Sequence, residues 1–390
     1  MAPIAPPPVI VPVTPALVPP TVPLTAFDLG VRAGPAIPSL AGWAETDLAP
    51  ALATFRKSCR VLARRIDPSG LTTAADWTAV CASPATDARA FFESEFATIL
   101  IGEGTGLNTG YFEPELAGAL TNQPATPFPV YKRPPELVEV DLGQFAESLK
   151  GKRIRGRVAN ATLVPYFNRA EIEDGALAGR GLEVAWVADP YELFFLHIQG
   201  SGRVRLADGT VLRIGYDGQN GRDYVGIGKL LRDRNLLGKG QASMDGIISW
   251  MKTNPEAGKA LMRENGSYIF FKLLTGEGPL GALNVALTPA LSVAADPAFT
   301  PLGAPLWLDT MIPEPAATLP GYAMTPLRAL MVAQDTGGAI KGANRFDLFW
   351  GPGERARKIA GGLSSTGRAV FLLPKVAVAR LLANGAPARP

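Results

Sequence analysis

Ala333-Gln334-Asp335-Thr336-Gly337-Gly338-Ala339-Ile340-Lys341-Gly342-Ala343-Asn344-Arg345-Phe346-Asp347-Leu348-Phe349-Trp350-Gly351 sets two aspartates twelve positions apart around a glycine-rich turn. The apolar run before it reads as a buried strand, Ala329–Gln334, and Phe346–Trp350 alternates in a way that suits a second. With Phe346 and Leu348 facing a core, Asp347 points the other way, toward a groove. A carboxyl against aromatic and apolar groups has its charged form disfavoured, so its pKa rises, as a general acid at a glycosidic oxygen requires. The alternative for Asp347 is a solvated strand residue.

Working outward, Leu283–Leu287, Leu291–Val293, Pro305–Leu308 and Gly367–Leu373 read as further short strands separated by Pro and Gly. Many short strands with turn signals predict a small β-barrel at the C-terminal end. Upstream, the spacing of Leu48, Leu52, Phe55, Cys59, Leu62 and Ile66 predicts a helix from Asp47 to Ile66, and Phe91, Phe92, Phe96 and Ile99 predict another over Asp87 to Leu100. Leu107–Phe112 reads as a strand, and the Pro-rich stretch Pro124–Pro135 as a linker into a second unit. In that unit Leu182–Asp189, Glu192–Gln199 and Ser267–Leu273 read as strands, Val204–Leu206 and Thr210–Ile214 as a hairpin with an Asp-Gly turn, and Tyr224–Leu231 and Met244–Lys252 as helices.

Composition narrows the classes. The 390 residues suffice for two domains, and 47% hydrophobic against 19% charged residues describes a globular body. A net charge of +3 with no dense Lys/Arg run argues against nucleic acid. No apolar run reaches transmembrane length, and no charged-then-apolar leader opens the chain. Residues 2–24 alternate Pro with Val, Ala and Thr, which favours an extended tether and a chain whose leader has been removed. Cys59 and Cys81 form one disulfide or remain two buried thiols. Two cysteines and the lone His197 make no convincing zinc site, and His197 reads as a structural histidine on a strand.

Two local motifs are set aside. Asp335-Thr336-Gly337 occurs once, whereas an aspartic protease site needs two such segments sharing a proton. Gly337, Gly338 and Lys341 lack the strand–loop–helix setting of a phosphate cradle. Gln199 and Ser201, in a turn after Ile198, carry groups that hydrogen-bond sugars, as do Tyr216 and Asn220.

In several ordered segments the chain resembles the MltA family of membrane-bound lytic murein transglycosylases. They run from Gly104-Thr105-Gly106-Leu107-Asn108-Thr109-Gly110-Tyr111-Phe112 through Phe194–Gly202, Tyr216–Gly221, Ile227–Lys229, Ser267–Phe271, Leu287–Pro289 and Pro301–Asp309 to the opening stretch and Gly367–Val370. The resemblance implies a mainly β fold with some helices: a double-psi β-barrel domain, residues 41–120 plus 281–380, with a smaller β-rich domain, residues 121–280, inserted into it. Residues 1–40 stand outside as a tether or disordered tail.

It further implies Asp347 as the catalytic aspartate, Asp335 as a second family aspartate, and Asp309 as a third acidic position. Groove contacts are expected from Tyr111, Gln199, Ser201, Tyr216, Asn220, Asp309, Lys341 and Trp350. The implied reaction is lytic cleavage of peptidoglycan with one carboxyl and no cofactor or metal, with a glycan hydrolase or a non-catalytic glycan-binding module as rivals. Implied partners are peptidoglycan glycan strands, with cell-wall synthesis or division proteins beside them. A monomer in the periplasm, tethered to the outer membrane, completes the expectation; no Cys near residue 1 supplies the lipid-modified cysteine of some members.

Overall fold

The computed structural model describes residues 24–238, 243–276, 278–314 and 323–383. Six strands close into a barrel. Around it run Ser364–Pro374, Pro305–Pro313, Met324–Asp335, Ser292–Ala295, Phe346–Pro352 and Thr105–Glu113, the last pairing back onto the first. Two of these pairings are parallel: Ser292–Ala295 with Met324–Asp335, and Phe346–Pro352 with Thr105–Glu113. Parallel neighbours need long connections, and the second pair brackets an excursion that holds a whole further sheet.

That excursion leaves the barrel at Pro114. It builds a six-stranded sheet in the order Ile269–Leu273, Val211–Gln219, Ser201–Arg205, Glu115–Ala119, Glu183–Val187 and Phe128–Tyr131. A small antiparallel sheet of Val138–Asp141, Arg153–Ala159 and Thr162–Pro165 stands beside it. The hairpin Ser201–Arg205/Val211–Gln219 carries the expected Asp-Gly turn, with Gly209 at φ 87°.

Helices seal one side of the barrel. Helix Ala49–Leu62 starts with Pro50 in its first turn and a bond from the Ala49 amide to Asp47 Oδ1 of 3.0 Å. Its Phe55 ring meets Trp77, Phe91, Phe92 and Phe96 at centroid distances of 6.0, 6.1, 6.3 and 5.6 Å. Such aromatic contacts add about 0.5–1.5 kcal/mol each to the burial itself. Cys59 and Cys81 form a disulfide that staples this helix to helix Ala74–Ala82. Of the two states left open for them, the bonded one is found.

One buried polar knot joins helix to barrel. Gln334 is fully buried; its Nε2 donates to Thr54 O and Ser58 Oγ, both at 2.9 Å, and its Oε1 accepts from Ser292 Oγ at 2.6 Å. Every polar atom of the amide is matched, so the knot fixes the end of strand Met324–Asp335 instead of costing desolvation energy.

Several expectations are corrected. Glu192–Gln199 is part of a helix, Pro190–Gln199, not a strand. Asp189 Oδ1 accepts from the Tyr191 and Glu192 amides at 2.8 and 3.2 Å, Pro190 opens the first turn, and Gly200 ends it at φ 77°. The apolar run looked strand-like because both sides of the helix are covered. Phe194 and Phe195 enter one core, and Leu193 and Leu196 another. The helix expected to reach Leu100 ends at Glu95, where Phe96–Ile101 becomes a strand pairing with Ser364–Pro374 and Val31–Ala33. Leu283–Leu287 forms turns, with Asn284 at φ 56°. Of residues 1–40, expected as a tether, Val31–Ala33 joins the sheet and Ala26 and Ile37 are buried; residues 1–23 lie outside the described residues.

The barrel and the second sheet meet through an apolar cluster of Phe112, Phe194, Ile227, Met251 and Ala356 among others. An ion cluster reinforces it: Arg357, on helix Glu354–Gly362, donates to Glu192 at 3.0 and 3.1 Å and to Asp245 at 2.7 and 2.9 Å. Between the two sheets lies a cleft. No helix among the described residues is long and apolar enough to cross a membrane.

Candidate active site

The cleft encloses about 620 Å³ and is lined from both sheets. Its floor on the barrel side is set by strand Phe346–Pro352. Phe346 and Leu348 are fully buried, so Asp347 turns outward and lines the cleft. Its register partner on the parallel neighbour is Thr109, whose Oγ1 donates to Asp347 Oδ1 at 2.6 Å. Asp347 Oδ2 accepts no hydrogen bond among the described residues, and the residue lines the cleft.

Burial pushes the Asp347 carboxyl above its ordinary range, while the Thr109 bond and the Arg345 charge pull the other way without cancelling it. Arg345 itself is spent on backbone, donating to Phe346 O at 2.7 Å and Leu107 O at 3.2 Å. The result is a half-buried acid that holds its proton to higher pH than an exposed aspartate.

Asp335 ends the strand that the Gln334 knot fixes. Its Oδ1 accepts from the Ala282 and Thr336 amides, both at 2.9 Å, and its Oδ2 from the Tyr111 hydroxyl at 2.9 Å. Burial, with a smaller push from the nearby Asp347 charge, lifts its pKa to about 6 against these stabilising bonds. Tyr111 and Thr109 are two apart on one strand, so they face the same side and each holds one carboxyl. Burial and the two carboxylates hold the Tyr111 phenol well above its usual range, so it stays a donor. The turn between the aspartates is tied down where Asn344 donates to Ile101 O at 2.9 Å. Gly106 is glycine because a Cβ there would overlap the Asn344 carbonyl.

Across the cleft stand Gln199, Ser201, Tyr216, Tyr224 and Lys272. Gln199 Oε1 accepts from the Phe112 amide at 3.0 Å, which ties the end of its helix to the barrel strand. Of the residues anticipated at the site, Asp347, Asp335, Tyr111, Gln199, Ser201 and Tyr216 come together. Four stand apart from the cleft lining. Asn220 is fully buried and donates to Phe167 O and Gly266 O at 2.9 and 2.8 Å. Asp309 pairs with Arg328 at 3.0 Å on the strand Pro305–Pro313. Lys341 is exposed on the turn. Trp350 packs against two apolar cores, its Nε1 buried.

His197 sits on the buried helix, 5% exposed. Arg169 donates to its Nδ1 at 3.1 Å, so the proton lies on Nε2. Burial first and the Arg169 charge second drive its pKa well below 6.5, leaving a neutral ring stacked on Phe271. Thr109, Tyr224 and Lys272 escaped the sequence reading. Thr109 acquires meaning only from its register with a strand more than two hundred positions away. Tyr224 reads in sequence as the first residue of a helix, but the helix begins at Ile227, which leaves Tyr224 on the loop after Asn220-Gly221.

Comparison with known proteins places the chain among relatives of one family. Residues 107–272 match the family described as MltA specific insert domain, and residues 291–373 the 3D domain. The membrane-bound lytic murein transglycosylase A of Vibrio cholerae is 38% identical over 51% of this chain and 54% of its own length. That of Escherichia coli K12 is 34% identical over 67% of this chain and 63% of its own. The chain thus spans less than two thirds of these relatives. Among solved structures, a membrane-bound lytic murein transglycosylase from Agrobacterium tumefaciens superposes with TM-score 0.78 at 32% identity, covering 90% of this chain and 99% of that one. MltA from Neisseria gonorrhoeae gives TM-score 0.72 at 36% identity, covering 88% and 92%. Escherichia coli MltA with bound chitohexaose gives 0.63 at 27%, covering 84% and 90%.

Proposed function

The chain belongs to the MltA family, and from that premise we propose that it is a lytic transglycosylase of peptidoglycan. The observation that carries the reading is the inequality of the two cleft carboxyls. Burial raises the pKa of both, but Asp335 accepts from three donors, whereas Asp347 accepts from one and its Oδ2 accepts no hydrogen bond among the described residues. A glycosidase working with water or a covalent intermediate uses two available carboxyl groups. Here one is available, which suits a reaction whose nucleophile belongs to the substrate.

In the proposed mechanism Asp347 protonates the oxygen joining MurNAc C1 to GlcNAc, and that C–O bond breaks. The resulting carboxylate then takes the proton of the MurNAc C6 hydroxyl as its oxygen bonds to C1. The product is a 1,6-anhydroMurNAc end, and Asp347 regains its proton. Intramolecular attack gains from high effective molarity, so no water needs positioning. Asp335 holds the Tyr111 strand and the Ala282 backbone around the acid and acts as a positioning residue. We also read the barrel and the inserted sheet as two domains with the glycan between them, in a protein facing the periplasm at the outer membrane.

The test is digestion of murein sacculi followed by mass analysis of soluble products. Anhydro ends are expected, lighter by one water than the reducing ends a hydrolase leaves. Asp347→Asn should fold and release nothing; reducing-end products, or turnover retained by that variant, overturn the proposal.

A further inference from the structure

The loop from Asn220 to Gly226 is pinned from several sides although it carries little apolar surface. Asn220, besides its two donated bonds, accepts the Tyr268 amide at 2.9 Å. Arg222 Nε donates to Tyr166 O at 2.9 Å. The Val225 amide donates to Oδ1 of Asn265, itself 1% exposed, at 3.1 Å. Gly221 takes φ +80°, and a Cβ there would come within 2.7 Å of Arg155 Cβ. Burying this many polar groups is tolerable only because each is matched, and the return is a backbone with little freedom.

What the loop presents is Tyr224. The side chain is 44% exposed and lines the same cleft as Asp347, from the opposite wall. Its hydroxyl makes no hydrogen bond among the described residues. Burial, and then the charge of Asp347, raise the phenol's pKa against the opposing charge of Arg169, which keeps it a donor. An apolar stacking platform tolerates sliding, whereas a hydrogen bond at a reacting centre needs its donor held within about half an ångström. The rigid mount therefore matches a polar role for the hydroxyl.

We propose that the Tyr224 hydroxyl donates a hydrogen bond to an oxygen of the glycan held between it and Asp347. This rests on the cleft being the glycan site. It makes the inserted sheet a contributor to the reacting centre, and it gives Asn220 a positioning role in place of the direct contact expected of it.

Two measurements test this. In an Asp347→Asn background, which keeps substrate intact, chitohexaose affinity is measured with and without Tyr224→Phe. Loss of one hydrogen bond is expected to weaken binding about tenfold. With Asp347 intact, Tyr224→Phe is expected to lower kcat/KM on murein by about tenfold or more at an unchanged melting midpoint. Affinity and turnover both equal to the parent overturn the inference, since the ring alone then suffices. A lowered melting midpoint that accompanies the loss overturns it as well, by placing Tyr224 in the fold. If the parent binds chitohexaose yet releases no anhydro ends, the proposed reaction fails, while the affinity comparison still decides the Tyr224 contact. A parent that neither binds nor cleaves defeats both.

Discussion

Thr109→Val removes one interaction from the acid and little else. Valine has nearly the shape of threonine, but it lacks the hydroxyl that meets Asp347 Oδ1 at 2.6 Å. A short bond to a half-buried carboxylate is worth about 1.5–3 kcal/mol, all of it favouring the charged form. At 1.36 kcal/mol per pH unit, losing it raises the Asp347 pKa by about 1–2. As the proposed general acid, Asp347 must be protonated to start the reaction, so turnover falls as pH rises through its pKa. The basic limb of the kcat/KM profile, followed by release of anhydro products from murein, should therefore move to higher pH by about 1–2 in Thr109→Val. Thr109→Ser should leave it in place. A basic limb that does not move in Thr109→Val, or moves to lower pH, refutes the reasoning that this bond sets the acid.

Asp335 makes a stability prediction of definite sign. Its folded pKa of about 6 lies above the ordinary 3.8, so its contribution is full below pH 4 and is lost as pH rises through 6, amounting to about 3 kcal/mol. Asp335→Asn should flatten the fall in urea-unfolding stability between pH 4 and pH 8 by about that amount. Reducing the Cys59–Cys81 disulfide, which closes a separation of 22 residues, should lower stability by about 3 kcal/mol, measured as the urea midpoint with and without reductant. Asp309→Asn and Lys341→Ala, both away from the cleft lining, should keep kcat/KM on murein within about twofold, a change of under 0.5 kcal/mol.

Legibility of the fold followed the range of the interactions concerned. Barrel strands with strong alternation or buried runs, such as Phe346–Trp350 and Ala329–Gln334, could be read locally, and so could the Asp-Gly hairpin. The helix Pro190–Gln199 was misread because burial on both sides erases the polar stripe on which period reading depends. Phe96 and Ile99 fit a helical face as spacing, but they belong to a strand whose partner, Ser364–Pro374, is far away in sequence. At the site, Asp347's outward direction follows from its neighbours alone. Its pairing with Thr109, and the exclusion of Asn220 and Asp309 from the cleft, depend on register and burial that one segment does not encode. Asn220 shows the limit well: a polar residue among glycines has the same local signature whether it meets a ligand or locks a loop.

The parallel seam between Thr105–Glu113 and Phe346–Pro352 has a consequence for how the chain matures. Joining Thr109 to Asp347 closes a loop of 238 residues. Loop-closure entropy makes that contact costlier by about 2 kcal/mol than closing a twenty-residue loop, and contacts of such range form late. The burial that raises the Asp347 pKa and the Thr109 bond that tempers it both depend on this long-range closure, so the carboxyl that would cut the cell wall is tuned only where the barrel is shut.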